Sequence, residues 1–255
     1  MSKVMLEVSG VSKQFGGLRA VDGVSLSVKE GQIVSIIGPN GAGKTTFFNL
    51  LTGQLSPTEG EVRFLGERVN ELPPHARAQR GMGRTFQIAK PLIALTALEN
   101  VMIGAFMRHH ALADARDQAM AVLERVRMGH LAARRAGDLT LSERRRLEVA
   151  RALALQPRIV LLDEPTRGLD YEAKRALARI IGELRTQGHA IVLASHDIEF
   201  VAQVATKVVV LEKGRIKAQG APVEILGVDG LLPSQVSVAL GQPGIISLEQ
   251  IRGSR

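Results

Sequence analysis

Cysteine and tryptophan are both absent from these 255 residues, tyrosine occurs once, and aromatic side chains make up only 3% of the chain. Without cysteine there is no disulfide and no thiolate metal site, which fits a reducing, cytosolic compartment. With so few rings, Leu, Val, Ile and Ala must fill the interior. No apolar run approaches the roughly 18 residues of a membrane-spanning helix. The opening Met1-Ser2-Lys3-Val4 leads directly into strand-like alternation rather than a signal peptide. Hydrophobic content of 45% and this length suit one large α/β domain with its own core, or one domain carrying an insert. The formal charge of +8 is compatible with nucleic acid, anionic lipid or a nucleotide, and reads first as an Arg-rich soluble surface.

What the chain does have is a glycine-rich loop between an apolar run and a helix start. Gly38-Pro39-Asn40-Gly41-Ala42-Gly43-Lys44-Thr45 fits the phosphate-loop pattern G-x-x-x-x-G-K-[ST]. Ile33 to Ile37 precedes it as a short buried strand, and Thr46-Phe47-Phe48-Asn49-Leu50-Leu51 follows as the opening turns of a helix. Glycines let successive backbone N–H groups turn inward toward phosphate oxygens, and the helix N-terminus adds partial positive charge. In this pattern Lys44 reaches the β- and γ-phosphates and the Thr45 hydroxyl holds Mg²⁺. The loop predicts binding of a nucleoside triphosphate.

Periodicity gives the rest of the plan. Val4 to Val8, Leu26 to Val28 and Val62 to Phe64 read as strands which, with turns at Gly16-Gly17 and Asp22-Gly23, suggest a small antiparallel sheet. Pro73-Pro74 opens a helix that runs to Arg80 and stops at Gly81. From about residue 92 the chain turns helix-like and rich in Ala and Arg, with apolar spacing over Ala97–Met107 and Asp114–Val126. Strand patterns resume at Ile159–Leu162, Ala190–Ala194 and Val208–Leu211, and Gly214 turns a hairpin into Arg215–Gln219. The fold class expected is α/β, a phosphate-loop core with a mainly parallel sheet, a small antiparallel β subdomain and a helical insert over about 92–155. After Ala221 periodicity weakens, so 222–255 is a tail outside the main domain of 1–221, either docking on a partner or loosely ordered, the second being the default for a terminus.

Asp163-Glu164 ends the apolar run Ile159–Leu162. A buried strand in an open α/β sheet delivers such a pair to the ligand edge, here beside the phosphate loop and on a neighbouring strand. Asp163 then binds Mg²⁺ through a water, and Glu164 orients and polarises the attacking water as a general base. The arginine runs Arg134-Arg135 and Arg144-Arg145-Arg146 have no interleaved aromatics and read as a solvated helix face, so no nucleic-acid partner is expected.

With these residues in place, the chain resembles the ATP-binding subunit of an ABC transporter over about residues 3–220. The resemblance implies roles for further positions. Gln87, in Gly83-Arg84-Thr85-Phe86-Gln87, matches the glutamine that senses Mg²⁺ and contacts the membrane partner. Asp170, in Arg167-Gly168-Leu169-Asp170, matches the loop that crosses between two ATPase subunits. His196, in Ala194-Ser195-His196-Asp197, matches the switch histidine at the γ-phosphate, and Phe15 the aromatic that stacks on adenine. Leu139-Thr140-Leu141-Ser142-Glu143 falls on the signature segment, fixed in register by Arg145 to Leu153 downstream. Thr140 and Glu143 keep its polar positions, whereas Ser142 replaces a glycine that lets the backbone approach the partner's γ-phosphate. If that position needs positive φ, a side chain costs about 1 kcal/mol, unless Ser142 caps the helix instead. Slower hydrolysis at the composite site using this signature is the consequence expected. Arg167 also departs from the small residue usual at its place.

Gly16-Gly17-Leu18-Arg19-Ala20-Val21, Gly83 to Gln87 and Leu98-Glu99-Asn100-Val101 are similar to one of the two ATPases of branched-chain amino acid importers, a group that includes amide and urea importers. The resemblance implies ATP and Mg²⁺ as cofactors and a second ATPase subunit, identical or different, arranged head to tail. It also implies membrane permease subunits, a solute-binding protein acting through them, and a peripheral place on the cytoplasmic face of the membrane. The alternative is a soluble ATPase of the same type acting on DNA or ribosomes without transport.

Overall fold

A computed structural model describes residues 3–85, 91–242, 244–248 and 250. The chain opens with β1 (Val4–Phe15) and β2 (Leu18–Lys29), a long hairpin turned at Gly16-Gly17, and then β3 (Ile33–Ile37). The phosphate-loop pattern leads into α1 (Lys44–Thr52), followed by β4 (Glu59–Phe64), β5 (Glu67–Arg68), α2 (Pro74–Gln79) and β6 (Met82–Arg84). Next come α3 (Ala97–Ala105), α4 (Leu112–Arg125) and α5 (Leu141–Ala154). The chain then alternates through β7 (Ile159–Asp163), α6 (Tyr171–Thr186), β8 (Ala190–Ala194), α7 (Ile198–Val204) and β9 (Lys207–Glu212). It closes with β10 (Arg215–Gly220), α8 (Pro222–Leu226) and α9 (Gln235–Leu240).

These strands form two sheets. The antiparallel one runs β2-β1-β4-β5, and the larger one runs β10-β9-β3-β8-β7-β6. In the larger sheet β9, β3, β8, β7 and β6 pair in parallel, with β10 as an antiparallel edge. Every residue of β3, β7 and β8 is buried, so these strands read as near-continuous apolar runs, broken by Ser35 and ended by Asp163, rather than alternating ones. Alternation reappears in which core each side chain joins. Ile33 and Ile37 pack with the helices of the insert and with α6 and α7, while Val34 and Ile36 pack with Phe47 and Phe48 of α1 and with the antiparallel sheet.

Asp22-Gly23 is not a turn. It lies inside β2 as a bulge, where Lys13 pairs with Val21 and Val11 with Val24, and Gly23 takes the left-handed conformation at φ 65°. The bulge aims Asp22 at the hairpin after β9: its N–H donates to Gly214 O at 2.8 Å and its carboxylate accepts from Arg215 at 2.6 Å. Hydrogen bonds from Arg215 and Arg19 hold this carboxyl below its ordinary value.

The helical insert forms where the apolar spacing places it. Thr96 caps α3 in a reciprocal box with Glu99, and the small residues Ala97 and Ala105 let α3 lie close against α4 and α5. Arg77 of α2 is buried to 1% exposure and donates to the backbone oxygens of Leu50 and Leu51, at the negative end of α1, and to those of Leu72 and Asn70. Burial pushes its guanidinium down to about 10, well above neutrality, so the helix end faces a full positive charge.

Loose order, the default expected after Ala221, is not found among the described residues of that tail. Ile225, Leu226 and Ile246 are buried in the same cluster as Phe200 and Val201 of α7. Ser234 and Ser237 are fully buried, and their hydroxyls donate to Ile246 O at 2.8 Å and Leu226 O at 3.1 Å. The periodicity was too short to signal this packing, because each helical piece spans little more than one turn.

Candidate nucleotide site

A cavity of about 500 Å³ opens at the C-terminal edge of the parallel sheet, lined by Asn40, Gly41, Ala42, Gly43, Lys44, Thr45, Thr46, Asp163 and Glu164. The sheet brings these together because β3 ends at Ile37 and β7 ends at Asp163. The two strands are not the neighbours that the sequence suggested: β8 lies between them, and its end delivers His196. Leu18, Arg19 and Ala20 of β2 and Lys213 and Gly214 after β9 complete the wall. The Asp22–Arg215 pair holds those two segments together.

At Gly38 and Gly43 the loop needs glycine for space as well as for conformation. Gly43 caps α1 at φ 99°, and a side chain there would put Cβ 2.3 Å from Ala20 O; at Gly38 the same atom would fall 2.1 Å from Leu211 O. No acidic residue sits in the first turn of α1, so its N-terminal N–H groups keep their full attraction for anions. Lys44 Nζ donates to Gly38 O at 2.5 Å and Pro39 O at 3.0 Å, which places the ammonium on the inner side of the loop. Burial lowers the Lys44 pKa, and Glu164 and Asp163 oppose that shift.

Asp163 is 2% exposed and Glu164 is 6% exposed. Burial raises the Asp163 pKa against the pull of the Arg84 guanidinium, whose Nη2 lies 3.3 Å from Oδ2. The backbone N–H of Asp163 donates to Thr85 Oγ1 at 3.4 Å. Glu164 adopts a left-handed conformation at φ 48°, which costs a non-glycine residue about 1–2 kcal/mol. Its N–H donates to Ala194 O at 2.9 Å, and its Oε2 accepts from His196 Nδ1 at 2.7 Å and from the His196 N–H at 3.4 Å. A carboxylate only accepts, so Nδ1 carries the proton of that bond. The His196 ring is otherwise largely exposed, at 62% of its side chain.

Other predicted positions lie elsewhere. Phe15 ends β1, is 46% exposed, has Lys13 Nζ 5.4 Å from its ring centroid, and does not line the cavity; Leu18 opposite it in the hairpin does. Asp170 caps α6 by accepting from Ala173 N–H at 2.8 Å. Thr140, Ser142 and Glu143 are absent from the cavity wall and form the start of α5. Thr140 is the cap of that helix, in a reciprocal box with Glu143, so Ser142 does not cap it. Ser142 also lies outside the positive-φ residues, as the second residue of a helix must. The backbone penalty anticipated for it therefore does not arise. Burial opposes the ionisation of Glu143, but hydrogen bonds from Thr140, with Arg134 and Arg146, keep its pKa low. Gln87 lies outside the described residues.

Arg84 and Arg19 stand in the sequence motifs without a role assigned to them, and Lys213 stands in none. Arg84 is the last residue of β6 and pairs with Leu161 of the strand that carries Asp163, a neighbour set by sheet order and invisible in the local sequence.

A phosphate loop after the central strand and paired carboxylates at a second strand end define a nucleotide-binding P-loop fold. Comparison with known proteins narrows it. The ABC transporter family model matches residues 21–167. The branched-chain amino acid transport ATP-binding protein BraF of Pseudomonas aeruginosa is 40% identical over 243 residues, covering 88% of this chain and 94% of the relative. LivG of Salmonella typhimurium, described as a protein of the same kind, is 38% identical with the same coverage. Among solved structures, a dimeric ATP-binding cassette with ADP and phosphate bound superposes with TM-score 0.78 at 28% identity, over 86% of this chain and 99% of that one. The chain belongs to the ABC transporter family, as an ATPase that binds nucleotide.

Proposed function

We propose that this chain is the ATP-hydrolysing subunit of an importer for branched-chain amino acids or related amides. The observation that carries the reading is the convergence of Lys44, Thr45, Asp163 and Glu164 on one cavity. The solute class rests on the roles named for the relatives. In this reading the N–H groups of the loop from Asn40 to Thr46, Ala42 excepted because it donates to Pro39 O, and the Lys44 ammonium bind the phosphates, while adenine reaching past Leu18 stacks on Phe15 just outside the cavity wall. Glu164, pinned by His196, takes the proton of the attacking water, and His196 also meets the γ-phosphate.

The Thr45 hydroxyl and the Asp163 carboxylate offer hard oxygen donors on the same cavity, with Gln87 assigned to the same ion by resemblance. Among the described residues no three acidic or His side chains are placed to hold a metal ion by themselves, and Mg²⁺ held partly by phosphate oxygens and waters needs only one or two protein donors. Mg²⁺ there would neutralise charge on the β- and γ-phosphates.

Two such subunits, identical or different, pair head to tail, so that Thr140, Ser142 and Glu143 of one face the phosphate loop of the other, with Asp170 near the crossing. That geometry explains why the signature stands away from the cavity of its own chain. The permease docks by the groove between α3 and α5, about 230 Å³ lined by Arg84, Thr85, Ile103, Met107 and Arg151 among others. No helix among the described residues is long and apolar enough to cross a membrane, so membrane attachment runs through the permease. A solute-binding protein acts on the far side.

The test is ATP hydrolysis by the chain assembled with its co-purified permease in liposomes. Leucine-loaded binding protein should stimulate the rate, and Lys44→Ala should abolish nucleotide binding. A permease complex whose ATPase ignores every branched-chain amino acid and amide would overturn the solute assignment, and tight nucleotide binding by Lys44→Ala would overturn the site.

A further inference from the structure

Arg84 ends β6 with only 9% of its side chain exposed, and its guanidinium joins two parts of the fold. Nη1 donates to Thr52 Oγ1 at 2.7 Å and to Gln54 Oε1 at 2.9 Å, both at the C-terminal end of α1. Nη2 donates to Asp163 Oδ2 at 3.3 Å, at the end of β7. The Thr52 hydroxyl donates its own proton to Phe48 O at 2.9 Å, which turns its lone pairs toward Arg84. One planar group therefore ties the helix whose first turn holds Lys44 and Thr45 to the strand that presents Asp163.

A carboxylate on a short stem has a broad terminal torsion, whereas Mg²⁺ demands near-ideal octahedral geometry. A forked guanidinium fixes one carboxylate oxygen while its other arm is held elsewhere, and an ammonium at the same place is only a point charge. We propose that Arg84 is the positioning residue of the metal-binding carboxylate: it takes one oxygen of Asp163, sets the direction of the other, and keeps Asp163 in register with Thr45 through α1. The inference rests on the reading above in which Asp163 serves Mg²⁺.

The experiment measures the dissociation constant of a fluorescent ATP analogue on the full chain, with Mg²⁺ and with EDTA. The ratio of the two constants reports what the metal adds, independent of turnover. Arg84→Gln should shrink that ratio by about tenfold, the scale at which supporting groups tune metal affinity, while leaving the EDTA value nearly unchanged. Arg84→Lys should recover only a small part, because it keeps the charge and loses the fork. If Arg84→Gln is unfolded by its melting curve, Thr52→Val removes one anchor and should shrink the ratio about threefold. An unchanged or enlarged ratio in the folded Arg84 variant, or in Thr52→Val where that variant stands in for it, overturns the proposal. Asp163→Asn separates the two ideas: if it too leaves the ratio intact, the assignment of Asp163 to the metal fails; if it alone collapses the ratio, only the role of Arg84 fails.

Discussion

His196 Nδ1 sits 2.7 Å from Glu164 Oε2, joining the end of β8 to the end of β7. The bond fixes one oxygen of a carboxylate whose backbone is already held at φ 48°, so both the torsion and the side chain of Glu164 are constrained. Glu164→Gln should keep nucleotide affinity and lower the hydrolysis rate by at least about 10²-fold, the usual loss with a general base. His196→Ala should also lower the rate while leaving affinity for ATP near the parental value. Steady-state hydrolysis beside equilibrium nucleotide binding checks both, and parental turnover in Glu164→Gln would remove it from the role of base.

Ser142 occupies the second position of α5, with a helical backbone. In the proposed head-to-tail dimer, any slowing it causes comes from its side chain facing the other subunit rather than from strain. Ser142→Gly should therefore raise turnover in the assembled transporter. Glycine in a helix costs up to about 1 kcal/mol, so the melting temperature of the isolated chain should stay level or fall slightly. Equal turnover before and after the substitution would show that the side chain is no obstacle.

His189 links β7 and β8 from outside the site, its Nδ1 2.9 Å from Pro157 O. Burial lowers its pKa from the ordinary 6.5, outweighing the hydrogen bond to that carbonyl. The folded state therefore resists the proton that the unfolded chain accepts. Stability is present above the ordinary value, about 6.5, and is lost as pH falls through it toward the lower folded value. Denaturant melts between neutrality and mild acid should show this slope, and His189→Gln should flatten it. A slope unaffected by the substitution would assign the titration to another group.

The core and the phosphate loop were legible because their signals are local. A five-residue apolar run, a glycine loop and a helix start are contiguous, and Ile159–Leu162 announces Asp163 in the same way. Three kinds of feature were not legible. The bulge at Asp22-Gly23 has the composition of a turn, and only the pairing of Lys13 with Val21 shows that the strand continues. The capping of α5 by Thr140 rather than Ser142 depends on where the helix begins, and boundaries shift by a residue or two in any reading of propensity. Arg84 escaped because its partners, Thr52, Gln54 and Asp163, are distant in the chain and meet only once the sheet order is set.

The alternation along β3 has a mechanical consequence. Ile33 and Ile37 answer to one body of side chains, Val34 and Ile36 to another, with a single backbone as the septum between them. A cavity cut on the insert side reaches the loop at Gly38 through the five peptide units of β3, whereas one on the other side touches Ala42 and α1 directly. Damage to the insert-side compartment should thus loosen that half of the molecule well before the phosphate cradle changes shape, and damage to the other should reach the cradle first.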